Sequence, residues 1–211
     1  MMTTLTQYTA FLLLIASCFI PSTANACVDT PCELNSIAKQ ISSQPQLNEF
    51  KQLKTVAVLT QPLKSSGYLL LADNDRVVWQ TQKPIKSTTV IGPNSFKQYN
   101  KQDEAISAPA NSNNQTSQLI SSTFLSILSG DFEELNTNFD VIAICKSSGW
   151  SLNLTSTHSD IQRVIKHIEV SGNTSIQRLT FTEANGDITQ ITFDTIDSQE
   201  IHAQLGQFLV D

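Results

Sequence analysis

Residues 67 to 84, GYLLLADNDRVVWQTQKP, constrain the fold more than any other stretch of this chain. Two apolar runs, at residues 69 to 71 and 77 to 79, flank a short polar break. Their close spacing predicts two antiparallel strands joined by a tight turn. Successive side chains of a strand point to opposite faces, so consecutive apolar residues place apolar groups on both faces of this hairpin. Other parts of the structure must therefore cover both faces.

A β-rich segment surrounds the hairpin, from residue 50 to about residue 99. Apolar and polar residues alternate along it, and Val56 and Val58 follow the same period. Turn-forming residues such as Pro62, Gly67 and Pro84 divide the segment into about four or five strands. Short connections of this kind require antiparallel neighbours.

The last third of the chain, from residue 139 onward, is also β-rich. Trp150, Leu152 and Leu154 alternate with polar residues, and segments 176 to 182 and 188 to 195 are joined by Asn185-Gly186, a preferred hairpin turn. Between the two β-rich segments, residues 100 to 116 are polar and small and predict an exposed loop with room for one short strand.

Two amphipathic helices accompany the strands. Thr30-Pro31-Cys32-Glu33 has the pattern of a helix start, with Thr at the N-cap and Glu completing a capping box, and apolar residues follow at helical spacing up to residue 41. A second helix is predicted over residues 117 to 129, ending at Gly130. Short helical turns are expected after Asp131 and over residues 158 to 164.

These elements predict an α+β fold. A sheet of about nine to eleven strands twists and curls, and its concave apolar face needs a cover. We therefore expect an incomplete, strongly curved antiparallel β-barrel, with the amphipathic helices forming a lid over an apolar cavity. Residues 27 to 211 are expected to form this half-barrel as a single domain.

The N-terminus indicates secretion. The apolar run at residues 10 to 16, followed by Ala24-Asn25-Ala26, is typical of a signal peptide covering residues 1 to 26, and the run is too short to span a bilayer. Localisation in the periplasm is therefore expected. A competing interpretation takes Ile15-Ala16-Ser17-Cys18 as a lipobox, with Cys18 as the lipidated residue.

Cleavage after Ala26 leaves three cysteines, at positions 27, 32 and 145. An oxidising compartment allows one disulfide among them. Cys27 with Cys32 closes a short loop and is the first candidate pair. The alternative joins either of these residues to Cys145, and the spacing alone does not decide between the pairings.

Composition and motifs argue against several classes of function. The formal net charge of -6 disfavours binding to nucleic acids, because that binding needs an excess of Lys and Arg to neutralise phosphates. We find no metal-ligand spacing, nucleophile elbow or phosphate-binding loop in the sequence. No catalytic residue, metal or cofactor is therefore predicted, and a lipid-acting hydrolase is the weakest alternative.

Several stretches together resemble the LolA family of periplasmic outer-membrane lipoprotein carriers. They are FKQLKTVAVLTQPLKSSGYLLLADNDRVVWQTQKP at 50 to 84, LSGDFEELNTNFDV at 128 to 141, GWSLNLTSTHSDIQRVIKHIEVSG at 149 to 172 and EANGDITQITF at 183 to 193. The chain is most similar to the LolA-like subgroup associated with biosynthesis of polyene or other unusual lipids. In one respect it departs from the family, since Asp73 stands where the lipoprotein carriers tend to have an arginine that helps to latch the lid.

The resemblance implies a carrier that shields acyl chains in an apolar cavity during transport toward the outer membrane. The implied partners are an acylated lipoprotein or another hydrophobic lipid as cargo, and the family's inner-membrane releasing complex and outer-membrane receptor are further candidates. A monomer is expected. The alternative is a receptor or regulator of the same fold that is anchored in the outer membrane through Cys18.

The candidate cavity residues are the inward-facing apolar positions of the hairpin, the second helix and the Trp150 strand. The competing interpretation of each is an ordinary core residue. They are Leu69, Leu71, Val77, Trp79, Ile120, Phe124, Ile127, Leu128, Trp150, Leu152 and Leu154.

Overall fold

The computed structural model describes residues 30 to 41, 45 to 72, 76 to 93, 95 to 106 and 115 to 210. Within these residues a single antiparallel sheet has twelve strands: β1 (Thr30–Pro31), β2 (Gln46–Thr55), β3 (Leu63–Ala72), β4 (Arg76–Lys83), β5 (Ser87–Gly92), β6 (Ser95–Tyr99), β7 (Ala105–Ile106), β8 (Phe139–Lys146), β9 (Gly149–Ser156), β10 (Ile165–Gly172), β11 (Ile176–Glu183) and β12 (Ile188–Thr195).

The strand order is β1-β8-β9-β10-β11-β12-β2-β3-β4-β5-β6-β7. Two meanders, β2 to β7 and β8 to β12, therefore meet where β12 pairs with β2. The sheet is open, with β1 and β7 at its edges. It has more strands than the nine to eleven that the sequence indicated. The two-residue β1 was not expected, whereas β7 fits the short strand allowed within residues 100 to 116.

The described helices are α1 (Leu34–Ala38), α2 (Gln115–Ser129), α3 (Phe132–Leu135), α4 (Ser159–Gln162), α5 (Gln199–Gly206) and a terminal 3-10 helix (Gln207–Leu209). The helix α2 ends as expected, because Gly130 follows its last residue with a positive φ of 77°. The terminal pair, α5 and the 3-10 helix, was not predicted.

Two local predictions are wrong. Thr30 and Pro31 do not begin a helix but pair with Cys145 and Ile144 of β8, so α1 begins at Leu34. Val56 and Val58 do not continue a strand, because β2 ends at Thr55 and a turn follows it. At Thr30 and Pro31, pairing between strands overrides the local pattern.

The disulfide joins Cys32 to Cys145, with Cα atoms 5.7 Å apart. The first candidate pair, Cys27 with Cys32, is therefore wrong, and the alternative pairing with Cys145 is the one present. The reason is the short β1–β8 ladder, which places the residue after Pro31 beside the end of β8. Cys27, Cys18 and Asp73 lie outside the described residues.

The distance between aromatic rings shows that one face of the sheet is concave. Trp79 on β4 and Phe193 on β12 lie three strands apart, about 14 Å in a flat sheet at about 4.8 Å per strand. Their ring centroids are 6.0 Å apart. We call this side of the sheet the inner face and the opposite side the outer face.

The two-sided apolarity of the β3–β4 hairpin is explained by a separate cover on each face. Leu69, Val77 and Trp79 point to the inner face, where α1 to α4 contribute to the same apolar cluster. Leu70 and Val78 point to the outer face and pack with the terminal helices. The expectation that Val77 shares a face with Trp79 is confirmed.

Polar bonds hold the terminal helices on the outer face. Arg76 donates a hydrogen bond to the carbonyl oxygen of Leu209 at 2.8 Å. Gln204 of α5 lies 3.4 Å from the side-chain oxygen of Gln80, a fully buried residue that also donates to Thr88. The C-terminus therefore covers one half of the outer face.

Candidate functional site

The inner face carries one continuous apolar cluster, which we call the inner cluster. It contains all eleven candidate cavity residues. Seven of them are buried in it: Leu69, Val77, Ile127, Leu128, Trp150, Leu152 and Leu154. The other four are half-buried and pack against it: Leu71, Trp79, Ile120 and Phe124. The period-two and helical patterns thus predicted residues that the structure brings together on one face.

Five aromatic side chains form the part of this cluster that surrounds Phe124 of α2. We call Phe50, Trp79, Phe124, Phe181 and Phe193 the aromatic cluster. The ring of Trp79 is at its centre, 4.2 Å from Phe50, 5.6 Å from Phe124 and 6.0 Å from Phe193. Phe124 also stacks on Phe181 at 6.0 Å. Separations of 4.5 to 7 Å are typical of favourable aromatic pairs.

Exposure is uneven within the aromatic cluster. Phe50 and Phe193 are buried, whereas Trp79, Phe124 and Phe181 are half-buried. These half-buried rings belong to β4, α2 and β11. Water therefore reaches the inner cluster at this place.

Sequence reasoning missed three of the five aromatic residues. Phe50 and Phe193 stand directly opposite each other on β2 and β12, and this pairing joins segments 143 positions apart in the chain. Phe181 follows Leu179 at period two on β11, a signal that was available in the sequence.

Gly67 makes room for the centre of the aromatic cluster. It pairs with Phe50 on one side and Thr81 on the other, and it carries no side chain between them. Ser66 pairs with Lys83 and Gly67 with Thr81, so β4 bulges at the residue between. This arrangement lets the ring of Trp79 reach Phe50.

Among the described residues, the apolar side chains of the inner cluster pack against one another. A void beside Leu69, Leu71 and Leu128 measures about 20 Å³, which is room for about one water molecule. Sites for small molecules measure about 300–1,000 Å³. This void is therefore far too small to hold a molecule of that size.

The helix α2 is the covering element with the most uneven attachment. In its second half Leu125, Ile127 and Leu128 are buried, and Ser126 donates a 2.6 Å hydrogen bond to the carboxylate of Glu134 in α3. In its first half Leu119 and Ile120 are only half-buried. The second half of α2 is thus anchored more firmly than the first.

Charged groups lie where β2, β11 and β12 meet at the end of the inner face. The Lys54 ammonium is 2.6 Å from the Glu183 carboxylate and 3.8 Å from that of Asp187. Asp187 also accepts a hydrogen bond from the backbone N–H of Ala57 at 3.0 Å. These contacts tie the β2–β3 loop to the β11–β12 hairpin.

The structure indicates no metal or membrane-spanning element in the part of the chain it describes. Among those residues, no group of three or more His, Cys, Asp or Glu side chains is placed to hold a metal ion. No described helix is long and apolar enough to cross a membrane.

A protein-family model described as outer membrane lipoprotein carrier protein LolA matches residues 46 to 208. No curated protein sequence matches the chain.

Solved structures similar to this chain include a LolA superfamily protein, NE2245, from Nitrosomonas europaea. It has 9% sequence identity and a TM-score of 0.39, with 81% of this chain and 96% of that chain covered. A chain of the Pseudomonas aeruginosa MucA/MucB complex has 11% identity and a TM-score of 0.42, with 82% and 58% covered. A complex of MucB with periplasmic MucA gives 9% identity, a TM-score of 0.40 and coverage of 82% and 57%. This chain thus spans a little over half the length of the latter two.

Proposed function

Because the chain belongs to the LolA family of outer membrane lipoprotein carrier proteins, we propose that it shields the acyl chains of a lipoprotein or another hydrophobic lipid in transit toward the outer membrane. The observation that carries the proposal is the half-buried aromatic surface that Phe124 of α2 forms with Trp79 and Phe181. The secretory leader in the sequence supports the periplasm as the place of action. The proposed role is binding and requires no catalytic group.

Loading exchanges protein contacts for lipid contacts. Burial of a methylene contributes about 0.8 kcal/mol, so a long acyl chain gains roughly 10 kcal/mol before the costs of ordering. Exposing a fully buried Leu or Ile side chain costs about 1.5–3 kcal/mol. Release of all three buried aliphatic residues of α2, Leu125, Ile127 and Leu128, would thus consume most of the gain.

Displacement of the first half of α2 alone is less costly, since its residues Leu119 and Ile120 are only half-buried. In the proposed mechanism the second half of α2 stays attached through its buried residues and the Ser126–Glu134 hydrogen bond. The first half moves away from the aromatic cluster, and the acyl chain takes its place against Trp79 and Phe181.

The test is the identification of bound lipid. The protein is produced with its own leader in a Gram-negative host, purified without detergent and analysed by native mass spectrometry and lipid extraction. The delipidated protein is then titrated with a fluorescent long-chain fatty acid. We expect copurifying acylated molecules and saturable uptake of the probe. A protein that neither carries nor acquires lipid would contradict the proposal.

A matched pair of variants locates the site. Phe124→Asp places a carboxylate against the aromatic cluster, and desolvating it opposes binding of an acyl chain. Phe96→Asp makes the same change at a half-exposed residue of β6, outside the aromatic cluster. We expect Phe124→Asp to weaken uptake at least about tenfold and Phe96→Asp to leave it unchanged. Equal effects would argue against this site.

A further inference from the structure

Exposed apolar side chains are concentrated at one end of the sheet. The described residues include ten exposed large apolar side chains, and six of them lie at the end toward which β2, β4, β9 and β11 run. We call these six the apolar rim: Val58, Leu59, Leu63, Ile85, Val164 and Ile188.

Strand pairing shows that the rim residues share one end. Ile188 stands opposite Thr55 at the end of β2, and Leu63 stands opposite Lys54. Ile85 lies in the turn that follows β4, whose last residue pairs with Ser66. On the other side, Ala184 donates a hydrogen bond to the carbonyl of Val164 at 2.9 Å.

The remaining four exposed apolar residues do not gather at a second such place. Phe96 and Ile106 lie on β6 and β7, Ile142 is in the middle of β8, and Val210 follows the terminal 3-10 helix. Single exposed apolar residues are ordinary, whereas a group at one end marks an interaction surface. Val58 and Ile85, at 88% and 69% exposed, are the most prominent members of the rim.

Basic residues adjoin the rim directly. Lys64 follows Leu63, Lys83 and Lys86 flank Pro84-Ile85, and Arg163 precedes Val164. Lys64 and Lys83 are exposed and form no ion pair with another described residue. They line a groove on the outer face beside the rim. Exposed aliphatic side chains beside unpaired lysine ammonium groups are complementary to a surface with an apolar interior and anionic groups on its outside, such as a lipid bilayer.

We propose that the apolar rim is a membrane-contact surface, which inserts its aliphatic side chains between the headgroups of a bilayer containing anionic lipid. Lysine near such a surface contributes attraction to anionic headgroups, and the aliphatic residues contribute by burial below them. The net charge of -6 opposes long-range attraction, so contact depends on the rim itself. Phe181 lies two residues before the end of β11, toward the same end of the sheet as the rim.

This surface is independent of whether the interior takes cargo. A rim that contacts lipid and an interior that accepts an acyl chain are separate properties, and each can fail alone. Vesicle binding is therefore measured without cargo, and cargo uptake is measured in solution without vesicles.

The experiment is flotation of the mature protein with vesicles of phosphatidylcholine alone or mixed with phosphatidylglycerol. Val58→Asp/Ile85→Asp removes the two most exposed rim residues, and Ile142→Asp makes the same change at a 62% exposed residue away from the rim. We expect the wild type and Ile142→Asp to bind the mixed vesicles and the double variant to bind at least about tenfold more weakly. Circular dichroism checks that each variant is folded.

Depth of insertion gives a second measurement. Leu59→Trp and Ile142→Trp are compared for fluorescence quenching by vesicles containing brominated lipid, against the background of the two native tryptophans. Strong additional quenching of Leu59→Trp alone supports insertion of the rim. The proposal is overturned if the wild type does not bind mixed vesicles, if the double variant binds equally well, or if the two tryptophan variants are quenched equally. Failure of vesicle binding would leave a protein partner as the occupant of the rim.

Discussion

Replacement of Gly67 by alanine should destabilise the protein, because the position has no space for a side chain. A Cβ atom at Gly67 would collide with the backbone carbonyl oxygen of Gln80 and lie 2.9 Å from the backbone nitrogen of Gln82. These are backbone atoms of the paired strand and cannot rotate away. Overpacking of this kind costs about 1–3 kcal/mol.

Gly206→Ala is the matched control. Gly206 is the last residue of α5 and has helical φ and ψ of -58° and -28°. A Cβ atom there would lie within 4 Å of no heavy atom other than those of its chain neighbours and its own helix backbone. Alanine in a helical conformation is favoured over glycine by about 0.5–1 kcal/mol. The two substitutions should therefore have opposite signs, and the free energies of unfolding of the two variants should differ by about 1.5–4 kcal/mol.

The assay is urea unfolding at equilibrium, followed by tryptophan fluorescence and checked by circular dichroism with the disulfide intact. We expect a lower midpoint for Gly67→Ala and a slightly higher one for Gly206→Ala, with similar slopes. A Gly67→Ala protein as stable as the wild type would show that β3 and β4 do not approach as closely as the structure indicates.

Three further predictions concern the disulfide, the outer face and the N-terminus. Replacing Cys32 and Cys145 by serine should lower the free energy of unfolding by up to about 4.7 kcal/mol, the value for a closed loop of roughly 100 residues; a change below about 1 kcal/mol in urea unfolding would contradict this. Leu205→Ala should lower the free energy of unfolding by about 2–5 kcal/mol, since Leu205 is fully buried on the outer face. The variant should still bind the fluorescent fatty acid, and a loss of that binding would show that the outer face takes part in cargo binding. Intact mass of the purified mature protein should show an unmodified N-terminal Cys27, whereas a lipidated Cys18 would establish the anchored alternative.

Local patterns predicted the two faces of the β3–β4 hairpin and the inward-facing half of the site. Alternation needs only neighbouring residues, because the strand period of two does not depend on the rest of the fold. Trp79, once assigned to the inner face, takes Val77 with it, and the structure places both in the inner cluster. The helical spacing of Ile120, Phe124 and Ile127 was equally informative.

Local patterns failed where a distant segment competes with them. Thr30 and Pro31 have the residue types of a helix start, but their backbone pairs with β8, more than 100 positions away. The cover on the outer face was expected, whereas the terminal helices that provide it were not. Their Leu205 and Phe208 pack on Leu70 and Val78, and this contact depends on where the chain returns to the sheet.

The sequence by itself determined the alternation of the strands, the side of the hairpin that faces inward and the resemblance to the LolA family, and it predicts a secretory leader. Each of these depends on residues that are close in the chain or on a pattern read along it. Only the tertiary structure decided the pairing of Cys32 with Cys145, the opposition of Phe50 and Phe193, and the extent to which side chains fill the interior. The physical reason is that the curl of the sheet and the packing of the helices bring distant segments together. The free volume that remains between them is the small difference between two large volumes, that of the enclosed space and that of the side chains within it.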